Sequence, residues 1–77
     1  KMVSDKVVEM LASQLNISKE KVKMNSKLIE DLGADSLDMY QIAMNLEEVF
    51  DVSFSEADLK QVVTVNDAYE MLKSFND

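Results

Sequence analysis

Apolar side chains recur at intervals of three and four along the start of the chain: Val3, Val7, Met10, Leu11 and Leu15. Wound at 3.6 residues per turn they form one stripe, which predicts a first helix over about residues 3–15, with Asn16 ending it. Beyond it the pattern thins. Ser18-Lys19-Glu20-Lys21 reads as a short turn, lacking the acid that a capping box opened by Ser18 would need. Val22, Met24, Leu28, Ile29 and Leu32 are then isolated apolar points in a polar stretch. Residues 16–35 are therefore expected to form a long structured loop pinned to the core. Such loops are uncommon in a domain this small and are often functional.

Helical periodicity returns over residues 36–50. Met39, Ile42, Ala43, Leu46, Val49 and Phe50 fall on one arc, the expected core side. The opposite arc carries Leu37, Tyr40, Gln41, Met44, Glu48 and Asp51, flanked by Asp38, Asn45 and Glu47. Leu37, Tyr40 and Met44 make an outward apolar row ringed by carboxylates, the composition of an interface with an apolar centre and a charged rim. Residues 51–55 form a connector with Val52 and Phe54 directed inward. Ser55 can cap a short helix over 56–61, with acids in its first turn. Thr64 can cap a last helix over 65–75, with Asp67 completing an imperfect capping box and Val65, Ala68, Tyr69, Leu72 and Phe75 on the inner face. No internal repeat or low-complexity segment interrupts this order. The expected fold is all-α: one domain over residues 1–77, a small four-helix bundle of three main helices and one short one, with a long first loop.

Composition excludes more than it suggests. With 77 residues the core is marginal unless the helices pack efficiently. There is no cysteine and no histidine, so disulfides, thiol chemistry, imidazole base catalysis and the usual zinc ligands are all missing. Every basic residue is a lysine, so arginine's bidentate grip on phosphate is missing too. An autonomous enzyme is hard to assemble from this inventory, and a non-catalytic role is expected.

Charge is unevenly spread. Residues 1–27 hold six lysines against Asp5, Glu9 and Glu20. Residues 28–59 hold nine acids and no base. A one-signed field of this kind repels nucleic acid and anionic membranes and steers basic partners inward. No apolar run approaches the ~20 residues of a membrane span, and no signal-peptide pattern is present. Lys1 followed by Met2 reads as a trimmed or tagged N-terminus.

The most distinctive stretch is Asp31-Leu32-Gly33-Ala34-Asp35-Ser36-Leu37-Asp38, which holds the only glycine. Gly33 suits a bend needing positive φ. Asp35 reads as a helix N-cap, Asp38 sits at the positive end of the helix dipole, and Ser36 lies in the first turn with its hydroxyl toward solvent. Taken alone, this is a helix start after a glycine turn, and local pattern assigns Ser36 no function.

The octet resembles the signature of acyl carrier proteins of the dissociated fatty-acid synthase type, around the serine that bears 4′-phosphopantetheine. Leu46-Glu47-Glu48-Val49-Phe50-Asp51 resembles that family's Leu-Glu-Glu-x-Phe segment, and Thr64-Val65-Asn66-Asp67-Ala68 its entry into the last helix. The likeness spans essentially the whole chain without gaps. It implies that Ser36 carries 4′-phosphopantetheine, covalently and from coenzyme A. The chain would then carry growing acyl groups as thioesters between fatty-acid synthesis enzymes. The arm would supply the thiol that the chain lacks, and the protein would be the substrate of its partners. Those partners would be a phosphopantetheinyl transferase and basic-surfaced synthesis enzymes, with no nucleic acid and no membrane insertion. They would meet a monomer in the cytoplasm, or in an organelle matrix if a transit segment was removed. Asp35 and Asp38 would repel the phosphate and are assigned to partner docking with Leu37, Tyr40, Gln41, Met44, Glu47 and Glu48. The acyl tail would lie between the second and third helices among Ala43, Leu46, Phe54, Leu59, Val62 and Ala68, which pack as core in the unloaded protein.

Several positions depart from the family pattern. Gln41 stands where an acid is common, Asn45 where a small residue is common, and Tyr40 where valine is common. The connector lacks a frequent proline. Phe54 and Leu59 are larger than usual, implying a tighter pocket suited to short or medium chains. A carrier for polyketide or specialised lipid synthesis is the alternative within the class. An acidic helical adaptor without prosthetic group is the alternative outside it. A dedicated metal site is not expected: Asp31, Asp35 and Asp38 do not keep the spacing of a calcium loop, although the resemblance allows loose cation association along the second helix.

Overall fold

A computed structural model describes residues 3–76, and the Val3 and Asn76 side chains lie outside that description. The expectation for Lys1 and Met2, and Val3's place in the first stripe, therefore fall outside the described residues. Four helices follow in order: α1 Val3–Leu15, α2 Ser36–Phe50, α3 Glu56–Lys60 and α4 Val65–Asn76. The short turn after α1 is a 3-10 helix, Lys19–Lys21, capped by the Ser18 side chain. α3 ends one residue before the expected 61, where Gln61 serves as its C-cap.

α1 packs against α2 and α4. Val7 and Leu11 from α1, Ile42 and Leu46 from α2, and Val65 and Leu72 from α4 are buried together, joined by Val22 and Leu28 from the loop. α1 ends as its sequence implies: Asn16 takes φ 56°, and the Ile17 N–H reaches the Ala12 carbonyl at 3.0 Å, the long closing bond of a left-handed helix stop. Asp51 ends α2 in the same conformation, again with φ 56°.

The loop over 16–35 is fastened to the start of α4. The first N–H groups of a helix have no partner within it, and here the loop supplies them. Val65 N–H donates to the Ser26 carbonyl (3.0 Å) and Asn66 N–H to the Met24 carbonyl (2.8 Å). Leu28 N–H donates back to the Val63 carbonyl (2.9 Å). Thr64 and Asp67 complete the cap: Asp67 N–H donates to Thr64 Oγ1 (3.1 Å), while Asp67 Oδ2 accepts from Thr64 N–H (3.0 Å) and Val63 N–H (2.9 Å). The box that looked imperfect in sequence is reciprocal.

Those two N–H donors, Thr64's first, hold the Asp67 carboxyl below its ordinary value. Its folded-state pKa is lower than its unfolded one, so its contribution is present above the unfolded value and is lost as pH falls through the folded value. Between pH 5 and pH 3 the wild type should therefore lose more melting temperature than Asp67→Asn. Equal losses in a paired thermal series would remove this role.

Two expected inward positions, Val49 and Phe75, are corrected. Val49 is 52% exposed: it lies in an open groove over α1 whose lining is mostly polar, Lys6, Glu9, Ser13, Gln14 and Asn45, with Met10 the one other apolar side chain. Phe75 is 45% exposed in the last turn of α4, although its ring rests on Phe54. Ile29 is exposed because residues 27–31 close as a tight turn, with Asp31 N–H donating to the Lys27 carbonyl at 2.8 Å.

Candidate functional site

Six residues of the octet have a physical task in placing Ser36. Asp31 Oδ2 accepts from Lys27 N–H at 2.8 Å and secures the turn, a role the sequence reading missed. Leu32 is half-buried and Ala34 is buried, so the strand of loop between them is anchored from below. Gly33 has φ 78°, and a Cβ there would meet nothing within 4 Å. It is required by backbone conformation, not by space. The chain then enters α2 through a reciprocal capping box: Asp38 N–H donates to Asp35 Oδ1 (2.8 Å) and Asp35 N–H to Asp38 Oδ2 (3.1 Å). Such a cap is worth roughly 0.5–2 kcal/mol. Ser36 is left as the first helical residue, exposed, with its side chain taking no part in the cap.

Ser36 stands on the wall of a groove of about 380 Å³ lined by Ile29, Met39, Tyr40, Leu59, Val62 and Val63, together with the charged side chains Lys27, Glu30, Glu56 and Lys60. Met39, Leu59 and Val62 also line an inner cavity. The groove therefore adjoins, across these three side chains, the space between α2 and the later helices. That cavity is walled by Ala43, Leu46, Phe54, Leu59, Val62 and Ala68, so the structure brings all six residues of the expected pocket together. Leu28, Ile42 and Met71 complete it. Its volume is about 20 Å³, room for about one water molecule. Leu59 is half-buried rather than fully buried, because it belongs to the groove mouth as well as to the cavity.

Phe54 is held from two directions. Its N–H donates to Glu47 Oε2 at 2.8 Å, and its ring lies 5.6 Å from that of Phe75, tilted by 54°. Glu47 had been expected on the docking rim. It is half-buried, and its carboxylate instead fastens the connector to α2. A carboxylate seven residues before the N–H it binds gives no local signal of such a bond; only the turn at Asp51 brings the two together.

The outward arc of α2 is as the periodicity implies. Leu37 is 79% exposed, Met44 59% and Tyr40 52%, with Asp35, Gln41 and Glu48 exposed around them and Asp38 half-buried in the cap. Asn45 turns toward α1, where its Nδ2 donates to Gln14 Oε1 at 2.8 Å, so its departure from a small residue serves helix packing. Among the described residues no group of three or more acidic side chains is placed to hold a metal ion.

Comparison with known proteins follows this geometry closely. A family model described as a phosphopantetheine attachment site matches residues 5–72. An acyl carrier protein of Sulfurovum sp. (strain NBC37-1) is 43% identical over 70 residues, covering 91% of this chain and 93% of the relative. One from Clostridium acetobutylicum is 40% identical over 76 residues, covering 99% of each. A solved Mycobacterium tuberculosis structure assigned to the acyl carrier proteins superposes with a TM-score of 0.90 at 27% identity, over 96% of this chain and 99% of that one.

Proposed function

This chain belongs to the acyl carrier proteins, whose cofactor is covalently attached 4′-phosphopantetheine, and we propose that Ser36 is the residue that bears it, for fatty-acid synthesis. The observation that carries this reading is the serine's position, exposed on the first turn of α2 and opening onto the groove that shares Met39, Leu59 and Val62 with the inner cavity. The residues present fit the group. The Ser36 hydroxyl is free to form a phosphodiester, the helix N-terminus favours the resulting negative charge, and the groove offers apolar walls for an extended arm. When bound, the cofactor supplies the thiol on which acyl groups ride as thioesters. The chain itself positions the arm, shields its cargo and presents a docking face. The whole of residues 1–77 acts as one carrier domain, a cytoplasmic monomer visited in turn by its enzymes.

Incubation with coenzyme A and a broad-specificity phosphopantetheinyl transferase tests the assignment. Intact mass should rise by one phosphopantetheinyl group, mapped by peptide analysis to Ser36. An unchanged mass would overturn the assignment of Ser36 and favour a family member that acts as an acidic adaptor without the prosthetic group.

Docking follows from the same helix. Leu37, Tyr40 and Met44 form the apolar contact, while Asp35, Asp38, Gln41 and Glu48 surround it. Transient partners met in series need fast association and release, which steering by an acidic rim provides. Glu48 is exposed and free of the internal bond that occupies Glu47, so it is the clean test. Glu48→Lys should slow association with a basic partner enzyme, chiefly at low salt, and flatten the salt dependence. Equal association rates at low ionic strength would remove the steering role.

A further inference from the structure

We propose that Phe75 is the end stop of the acyl cavity and, through its contact with Phe54, sets the longest chain the protein shelters. This rests on the carrier reading above. The route is defined at both ends. It begins at Ser36 in the groove, passes Met39, Leu59 and Val62, which belong to both groove and cavity, and reaches Phe54 on the cavity wall. Phe75 does not line the cavity, yet its ring centroid is 5.6 Å from that of Phe54. It therefore backs Phe54 from outside.

The position of Phe75 makes it a stop rather than a core residue. It lies one turn beyond Met71, which lines the cavity, and it is 45% exposed. Behind the Phe54–Phe75 pair there is accordingly solvent, not more core. A growing tail can lengthen the cavity by parting helices only until it meets Phe54. To go further, the Phe54 ring must turn aside, and two contacts bear on that residue: the bond of its N–H to Glu47 and the ring of Phe75. The first holds the backbone and leaves the side chain free to rotate. The second blocks the rotation. Removing the Phe75 ring should let the Phe54 ring swing into the space it vacates, which lengthens the cavity from within and buries further methylenes before the solvent edge is reached.

The test loads wild type, Phe75→Ala and Phe75→Leu directly with octanoyl, dodecanoyl and hexadecanoyl phosphopantetheine, using the acyl coenzyme A donors and a transferase. Modification is read by intact mass and melting temperature by circular dichroism. Wild type should gain stability up to a medium chain and then level off. In Phe75→Ala the hexadecanoyl form should melt above its own dodecanoyl form by about 4 °C or more, with Phe75→Leu between the two. A general loss of packing would lower every form of the variant alike and leave its plateau where it was. Coincident plateaus in all three proteins, or a wild type that climbs without levelling, would overturn the end stop while leaving the carrier reading intact. Failure of wild type to accept any acyl phosphopantetheine would instead remove the carrier reading, and the end stop with it.

Discussion

Replacing Ser36 by alanine should abolish addition of the prosthetic group while leaving helix content and melting temperature nearly unchanged. Serine at a helix start often has a capping role, and its loss then costs roughly 0.5–2 kcal/mol. Here that role belongs to Asp35 and Asp38, whose carboxylates and backbone N–H groups satisfy one another at 2.8 and 3.1 Å. Ser36 is exposed and supports no other side chain, and alanine has the better intrinsic helix propensity. Ser36→Ala should therefore be chemically null and structurally silent. The measurement pairs intact mass after transferase treatment with far-ultraviolet circular dichroism. Residual modification would move the attachment point to another residue. Loss of helix signal would mean that Ser36, not the Asp35–Asp38 pair, secures the start of α2.

The largest effect on stability is expected at Leu28. It is fully buried although it belongs to the loop, its N–H donates to the Val63 carbonyl at 2.9 Å, and its side chain forms part of the cavity wall. Truncating a fully buried leucine to alanine typically costs 2–5 kcal/mol, the larger values where the hole cannot collapse. Leu28 adjoins a space that is already open, so collapse is hindered. A domain of this length has roughly 4–12 kcal/mol in total. Leu28→Ala should thus lower the melting temperature of the unloaded protein by at least about 8 °C, taking the low end of the cost at about 4 °C per kcal/mol. Loading a medium acyl chain should restore part of the loss, since the tail fills the enlarged cavity at roughly 0.8 kcal/mol per buried methylene. Leu59→Ala should cost less, because Leu59 is only half-buried at the groove mouth. A loss at Leu28 no greater than at Leu59 would contradict the loop's place in the core.

Local sequence carried the elements and the serine. Helix periodicity set α1, α2 and α4 to within a residue, since an apolar stripe and its caps are short-range features: Asn16 as the stop of α1, and Asp35, Ser55 and Thr64 as N-caps. The octet was legible for the same reason, because Gly33, Asp35 and Asp38 act on neighbours within a few residues. Tertiary structure decided what depends on partners distant in sequence. Val49 lies on the apolar arc of α2 but meets a mostly polar face of α1 across an open groove, so it is exposed. Glu47 has the spacing of a rim acid, yet the turn after α2 brings the Phe54 N–H to it, and a backbone donor in a half-buried place outcompetes solvent. Phe75 has the spacing of an inner residue, but α4 outruns the core there, and its ring finds Phe54 at the edge. A helical wheel specifies which side chains share a face. Only packing specifies what that face meets, and so which residues wall the cavity and which close it.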